Sequence, residues 1–490
     1  MSSFDLAVVV VYCALSLGVG LWVSRHQETA GDYFLGARDL PAWAILLSIV
    51  ATETSAITVI SIPGTGARGD LTFLQLALGF VVGRIAVAIW LLPGYFRGEQ
   101  ETAYARLESR FGIPTRRVMS TIFLGTRFLG DGVRVFASAI PLTLVTGWSP
   151  PLSIAVIGLI TMVYTWFGGF KAVVWADVFQ LLVYLSGGVA ALCIAWQLAG
   201  GAEAALAGAA EAGKLQVFDF APNVTTTYTF WGGLIGGAML SAASHGTDHL
   251  IVQRLLATRS LRDARLALIG SGLVVFGQFL LFLLIGSAIW AAGLAPGTLA
   301  SDQIFPRFVI ERLPTGLAGL MVAGILAAAM GTHSSAINAL ASSLTHDLYA
   351  GWTGRRDPVH LLRVGRVFSG FWAVALMLGA LLFYYYDRDG RTPVVVLALS
   401  IASIAYGGLL GAYVLAGPRF RTTGRDVIVG VAGSLAIMLV VFFARTLAQQ
   451  AALAWLAPAG RLAWPWYVPL GTLLTIGLAW TSSRLRPASR

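Results

Sequence analysis

A lipid hydrocarbon core about 30 Å thick is crossed by about 20 helical residues, and this sequence supplies that length of mostly apolar residues repeatedly, from residue 4 to residue 483. Such runs leave the α-helix as the only spanning form, because an isolated strand cannot satisfy its backbone hydrogen bonds in lipid. They predict helices at 4–24, 42–65, 72–95, 118–146, 152–169, 173–198, 229–252, 265–293, 315–341, 365–386, 393–416, 426–445 and 465–483. Thirteen transmembrane helices make an all-α integral membrane protein with its termini on opposite sides. Charged residues are 11% of the chain, against roughly 25% in soluble domains. No polar stretch is long enough to fold alone, so 1–490 is expected to be a single transmembrane domain. Cys13 and Cys193 both lie inside apolar runs and offer neither a disulfide framework nor a metal site.

The formal net charge of +10 does not point to nucleic acid, because the basic residues sit mostly in short loops between runs. Lys and Arg mark the cytoplasmic side of a membrane protein. With the N-terminus outside, the cytoplasmic segments hold 22 of the 33 basic residues, and the external ones hold 8, among them Arg68, Lys214, Arg388 and Arg391. The expected location is the cell inner (plasma) membrane, with the N-terminus outside and the C-terminus cytoplasmic. The first residues lack the basic region and small-residue cleavage site of a signal peptide, so the 4–24 helix is expected to remain in the mature protein. The external stretch 199–228 is rich in Ala and Gly and reads as a loop with a short surface helix.

An ionisable side chain in the middle of the bilayer costs about 2.5–3.5 kcal/mol on insertion scales, so each one marks a candidate site. Glu53 lies in the run Ile49 to Ala56 with Thr52, Thr54 and Ser55, and Pro63 and Gly64 follow. Packing through small hydroxyl residues explains the Ser and Thr there but not the carboxylate. Arg127, Asp131 and Arg134 share one helix face. They form either a structural ion network or one in which Arg134 is left free to fork onto a carboxylate. Arg84 is a lone charge, and Gln75 is either a packing amide or a ligand contact. Asp177 stands near the cytoplasmic end of its helix. His245 and His249 have a metal-ligand spacing, but no carboxylate or cysteine completes a site. The stretch Ala327 to Asn338 carries a stripe of hydroxyls and small residues suited to a hard monovalent cation.

Glycine- or polar-interrupted segments in matching halves point to a transporter built from discontinuous helices. The 42–65 and 229–252 helices fit, and five spans of separation makes them antiparallel. Hydropathy thus suggests two inverted five-helix repeats, at about 42–198 and 229–416, with peripheral helices at 4–24, 426–445 and 465–483. Several motifs occur in order: Asp32-Tyr33-Phe34-Leu35-Gly36, Ala51 to Ser55, Gly168-Gly169-Phe170-Lys171-Ala172-Val173 leading to Asp177, Gly246-Thr247-Asp248 through Gln253-Arg254, and Ala327 through Asp347-Leu348-Tyr349. In these the chain resembles the sodium/solute symporter family over about residues 30–420. The resemblance implies the LeuT-type five-plus-five fold and sodium as the coupling ion.

It further implies a main sodium site formed by backbone oxygens of Ala51, Thr54 and Ala328 with positions Gly331 and Thr332. Gly331 stands where a serine is usual, which removes one oxygen ligand. A second sodium site in some members maps onto Asp177, Ser334 and Ser335. Substrate is placed near the midplane, with Thr52, Glu53, Ser55, Gln75 and Arg134 as candidate contacts. An Arg in the Arg134 region implies a carboxylate on the substrate, and Glu53 offers a partner for an amine or for hydroxyls, so the expected substrate is a small organic acid or zwitterion, with an acidic sugar or neutral polyol next. The expected function is secondary active symport in which inward sodium movement drives solute uptake, without enzyme chemistry. A proton-coupled transporter using Glu53 or Asp177, and a transporter-like membrane sensor, are the rival readings.

Overall fold

The computed structural model describes residues 2–23, 27–97, 100–386 and 394–485; Arg388 and Arg391 lie outside them. Among the described residues it contains helices and no named strand, only a single bridge between Leu40 and Thr258. The helices relevant to the site are α1 (Ser3–Val23), α2 (Ala42–Glu53), α3 (Ala56–Arg68), α4 (Phe73–Tyr95), α5 (Ile113–Thr146), α6 (Pro150–Leu198), α7 (Gly237–Gly246), α8 (His249–Leu256), α9 (Leu261–Ala291), α10 (Leu317–Ser343), α11 (Pro358–Tyr386), α12 (Val394–Leu415), α13 (Gly424–Leu447) and α14 (Tyr467–Leu485). A short helix, Ala202–Glu211, occupies the loop after α6. By length and composition alone, six helices among the described residues are able to cross a membrane, or seven when the bent pair α2–α3 counts as one span.

Three interruptions shape the bundle. At the first, α2 and α3 meet at 64°. Thr54 leaves the helical region (φ −81°, ψ 91°), and the Ser55 N–H donates to the Glu53 carbonyl at 3.1 Å, so the Ala51 carbonyl loses the donor a continuous helix would supply. At the second, α6 is 49 residues long, about twice one crossing, and bends at Gly169 (φ 56°, ψ −159°), a conformation open essentially to glycine alone. At the third, α7 stops at Gly246, and Asp248 starts α8 by accepting the Leu250 N–H at 2.9 Å. The first and third breaks fall in the two segments, 42–65 and 229–252, that hydropathy marks as interrupted.

Small residues let the helices touch backbone to backbone, as packing without a hydrophobic driving force requires. A Cβ on Gly79 of α4 would run into the Gly233 carbonyl at the approach to α7, and one on Gly286 of α9 would run into the Pro63 carbonyl of α3. Neither obstacle is a side chain that can turn aside. Gly79→Val and Gly286→Val are therefore each expected to destabilise the fold by about 1–3 kcal/mol or more. Thermal midpoints of the detergent-purified variants check this, and an unchanged midpoint would contradict the close approach. The start of α10 is held differently: Asp5 of α1 accepts the N–H groups of Gly316 at 2.7 Å and Gly319 at 3.0 Å. The first and tenth helices thus begin at the same end of the bundle.

Candidate functional site

Between the broken helices lies a cavity of about 110 Å³, room for several waters or one small solute. Its polar wall includes Thr52, Glu53, Ser55, Arg127, Arg134, Ser241, His245 and Tyr406, and Phe73, Phe80 and Phe279 form much of the apolar remainder. Four of the five expected substrate contacts are thereby brought to one space: Thr52, Glu53, Ser55 and Arg134. Gln75 is not. Its amide is buried and spent on backbone: Nε2 donates to the Thr72 and Tyr228 carbonyls at 3.1 and 3.2 Å, and Oε1 accepts the Asp219 N–H at 2.9 Å. It pins the loop that follows the Ala202–Glu211 helix.

The three ionisable residues of α5 divide into two roles. Arg127 is buried and tied down. It donates to Asp248 Oδ2 from Nε at 3.0 Å and from Nη2 at 2.5 Å, to Tyr406 Oη at 3.1 Å, and to Asp131 Oδ1 at 3.4 Å. Arg134 has the looser hold, a single contact to Asp131 Oδ1 at 3.3 Å, with its side chain 19% exposed towards the cavity. Arg127 thus carries the ion network of α5, and Arg134 is the guanidinium with fewer partners.

Glu53 is paired with Arg84, which is fully buried and also donates to Ser271 Oγ at 2.9 Å. His245 Nε2 lies 3.6 Å from the same carboxylate, whose side chain is 22% exposed. Sequence reasoning left Arg84 without a role. The available signal was that a charge inside an apolar run needs a partner, and Glu53 was equally alone.

The residues expected for the main sodium site lie where α2 packs against α10. Ala51 and Ala328 are buried, and Thr332 Oγ1 sits on its own helix, donating to the Ala328 carbonyl at 3.0 Å. Thr54 Oγ1 donates to Gln278 Oε1 at 2.9 Å, which leaves its carbonyl at the break between α2 and α3. The donor set is oxygen only, the chemistry of a hard cation, with position 331 contributing no side chain. Ser335 Oγ lies 3.3 Å from Thr52 Oγ1 and directly joins the two helices.

The second cluster holds Asp177, Ser334 and Ser335, all buried. It contains a group not expected there. Arg254 of α8 donates to Asp177 Oδ2 at 3.0 Å, to Ser335 Oγ at 2.5 Å and to Ser48 Oγ at 2.9 Å. Ser334 Oγ turns to the Gly331 carbonyl at 3.1 Å. Asp177 therefore does not stand near water at a helix end but in the protein interior.

Comparison with known proteins identifies the family. The model of the sodium:solute symporter family matches residues 33–416. The human sodium/iodide cotransporter is 31% identical over 465 residues, covering 91% of this chain and 70% of that protein. The sodium/sialic acid symporter SiaT of Proteus mirabilis is 31% identical over 362 residues, covering 70% of each chain. A Na+-coupled sialic acid symporter solved in a substrate-bound outward-open state superimposes with a TM-score of 0.87 at 25% identity, over 100% of this chain and 99% of that one. With its LeuT-like fold and with the family model matching most of its length, the chain belongs to the sodium:solute symporter family and is a multi-pass membrane protein of sodium-coupled solute uptake.

Proposed function

We propose that this protein takes up a small organic acid or zwitterion together with sodium, binding the solute in the cavity between α2, α4, α5 and α7. Arg134 carries this reading, because it is a guanidinium at membrane depth, facing the cavity and held by one carboxylate oxygen at 3.3 Å. A guanidinium presents a planar fork matched to a carboxylate. Thr52, Glu53 and Ser55 line the same space and meet the polar or amino end of the solute, and the phenylalanine rings receive its apolar body. The named cargoes of the two relatives above, iodide and sialic acid, are anions.

Sodium bound by the Ala51, Thr54 and Ala328 carbonyls with Thr332 would hold α2 against α10 and favour the substrate-competent state. The coupling is reciprocal: sodium tightens solute by the factor by which solute tightens sodium. In this reading the chain crosses the cell inner membrane thirteen times with its N-terminus outside, and it performs no enzyme chemistry. Proton coupling through Glu53 or Asp177 is the weaker alternative, since neutralising either carboxylate would strand a buried guanidinium, Arg84 or Arg254.

The test is thermal stability of the purified protein with acids, amino acids and sugars, each in sodium and in choline. Stabilisation by an acid or zwitterion only in sodium is the expected result, because a ligand that binds the folded state raises its apparent stability. Equal stabilisation in choline would remove sodium coupling from the reading.

Position 331 offers a sharper check of the main ion site. A Cβ there would come within 2.5 Å of Gln180 Oε1, the movable end of a side chain, and 3.1 Å of Asp177 Oδ1. Gly331→Ser is thus expected to fold once Gln180 swings aside. One added oxygen ligand worth about 1 kcal/mol would tighten sodium about fivefold. Gly331→Ala fills the same space without the hydroxyl and should give no gain. Equal sodium affinity in both variants would remove position 331 from the site.

A further inference from the structure

His245 lines the cavity, yet neither the ion network of α5 nor the sodium cluster uses it. No group of three His, Cys, Asp or Glu among the described residues could hold a metal, so its spacing from His249 serves no metal site. One edge of the ring is held within α7: Nδ1 lies 2.8 Å from Ser244 Oγ and 3.2 Å from the Ser241 carbonyl. The other edge is not. Nε2 is buried without a hydrogen-bond partner, 3.6 Å from Glu53 Oε2 and so beyond bonding range. A buried polar atom left unpaired is costly, so a cavity wall that keeps one presents it to a ligand atom.

Charge decides what that ligand is. Three guanidiniums line or adjoin the cavity, and each already has a carboxylate: Arg84 with Glu53, Arg127 with Asp248, and Arg134 with Asp131. These fixed charges cancel. Ala51 and Thr54, whose carbonyls are proposed for sodium, are interleaved in the chain with Thr52, Glu53 and Ser55 of the cavity wall. Sodium therefore adds one positive charge beside a balanced, water-poor space, and a monoanion on Arg134 cancels it. A zwitterion leaves that charge uncancelled and brings an ammonium to Glu53, whose carboxylate the buried Arg84 has already neutralised. An ammonium also only donates hydrogen bonds, whereas a hydroxyl donates and accepts. A hydroxyl can give its proton to Glu53 or to His245 Nε2, and can accept from Nε2 when that nitrogen carries the ring proton.

We propose that the solute is a hydroxylated organic monoanion and not a zwitterion, with its carboxylate on Arg134 and a hydroxyl between Glu53 and His245 Nε2. This rests on the sodium-coupled organic-acid reading above and narrows it. His245 becomes a specificity-determining contact, the group that tells a hydroxy acid from its deoxy and amino analogues.

The experiment compares solutes that differ at one group: lactate, propionate and alanine, and, with a larger apolar body, 3-phenyllactate, 3-phenylpropionate and phenylalanine. Apparent affinities come from the rise of the thermal midpoint with solute concentration in sodium, for the detergent-purified full chain and for His245→Leu. In at least one series the hydroxy acid should bind the wild type about 10- to 100-fold tighter than its deoxy analogue, the yield of a hydrogen bond to a charged group, with the amino acid weakest. In His245→Leu the ratio of hydroxy to deoxy affinity should fall about fivefold, the worth of one neutral hydrogen bond. The substitution strands no neighbour, because Ser244 Oγ also reaches the Ser241 carbonyl at 3.3 Å. His245→Met gives the same reading should the leucine variant not purify, and should both fail, the wild-type ranking decides. An amino acid that binds as tightly as its hydroxy acid overturns the proposal and leaves the broader reading standing. A hydroxy-to-deoxy ratio near one in the wild type does the same, and so does an equal ratio in wild type and variant. If none of the six solutes binds while another acid of the wider panel does, this proposal alone falls. If no acid or zwitterion of that panel binds in sodium, the reading beneath it falls too.

Discussion

Asp248→Asn is expected to cost about 3–5 kcal/mol of stability, the toll of leaving one member of a buried ion pair uncompensated. Asp248 sits at the break between α7 and α8 and serves three neighbours. Its Oδ1 starts α8 by accepting the Leu250 N–H, and its Oδ2 accepts from two nitrogens of Arg127 on α5 and from the Tyr406 hydroxyl of α12 at 2.6 Å. Asparagine keeps the cap oxygen but presents either an amide NH2 or a neutral oxygen to a buried guanidinium, whose remaining carboxylate, on Asp131, is 3.4 Å away. The loss should appear as a lower thermal midpoint and a reduced monodisperse fraction in detergent. Tyr406→Phe removes one hydrogen bond and should cost only about 0.5–1.5 kcal/mol. The double variant Arg127→Met/Asp248→Asn should recover much of the deficit, because it removes the stranded charge as well as its partner. If the double variant is as unstable as the two single losses added together, the pair is not coupled and the account fails.

How much of this was legible in the sequence depends on how far apart the interacting residues lie. Hydropathy accumulates over about 20 residues, so helix positions were readable without knowing any contact. The break after Glu53 was readable too, since four polar residues at membrane depth cannot all face lipid. Within one helix, periodicity placed Arg127, Asp131 and Arg134 on a common face. Across helices no such rule operates. The partners Glu53 and Arg84 are 31 residues apart, and Asp177 and Arg254 are 77 apart, on different elements. Nothing in spacing joins them; only the requirement that a buried charge be compensated could have done so. Gln75 shows the opposite limit. A buried amide facing a ligand and one holding a loop look identical in sequence, and only the structure shows this one bonded to the Asp219 and Tyr228 backbone. The number of crossings also rested on hydropathy, because several helices are too short or too interrupted to qualify singly.

Arg134→Gln should abolish uptake of an acidic solute while leaving the empty protein as stable as the wild type. The stability half follows from the looseness of the site: the Arg134 guanidinium contacts one oxygen of Asp131, and removing it leaves that carboxylate still facing Arg127. Its own side chain is partly exposed to the cavity, so its loss opens space next to water rather than in a packed core. The transport half follows from what the cavity would then lack. Arg127 is engaged by Asp248 and Tyr406, and Arg84 by Glu53, so among the described residues lining or adjoining the cavity no other guanidinium is as weakly held. Losing one member of a desolvated, hydrogen-bonded charge pair costs about 2–5 kcal/mol, or about 30-fold to several thousand-fold in affinity. Arg134→Lys should rescue little, because an ammonium offers a point charge and not a planar fork. The decisive comparison is between two thermal midpoints for each variant, one without solute and one with saturating acid in sodium. For Arg134→Gln the first should match the wild type and the second should show no rise. A lowered first midpoint with the acid-induced rise intact would return Arg134 to the structural network of α5 and leave the carboxylate without a receptor in this cavity.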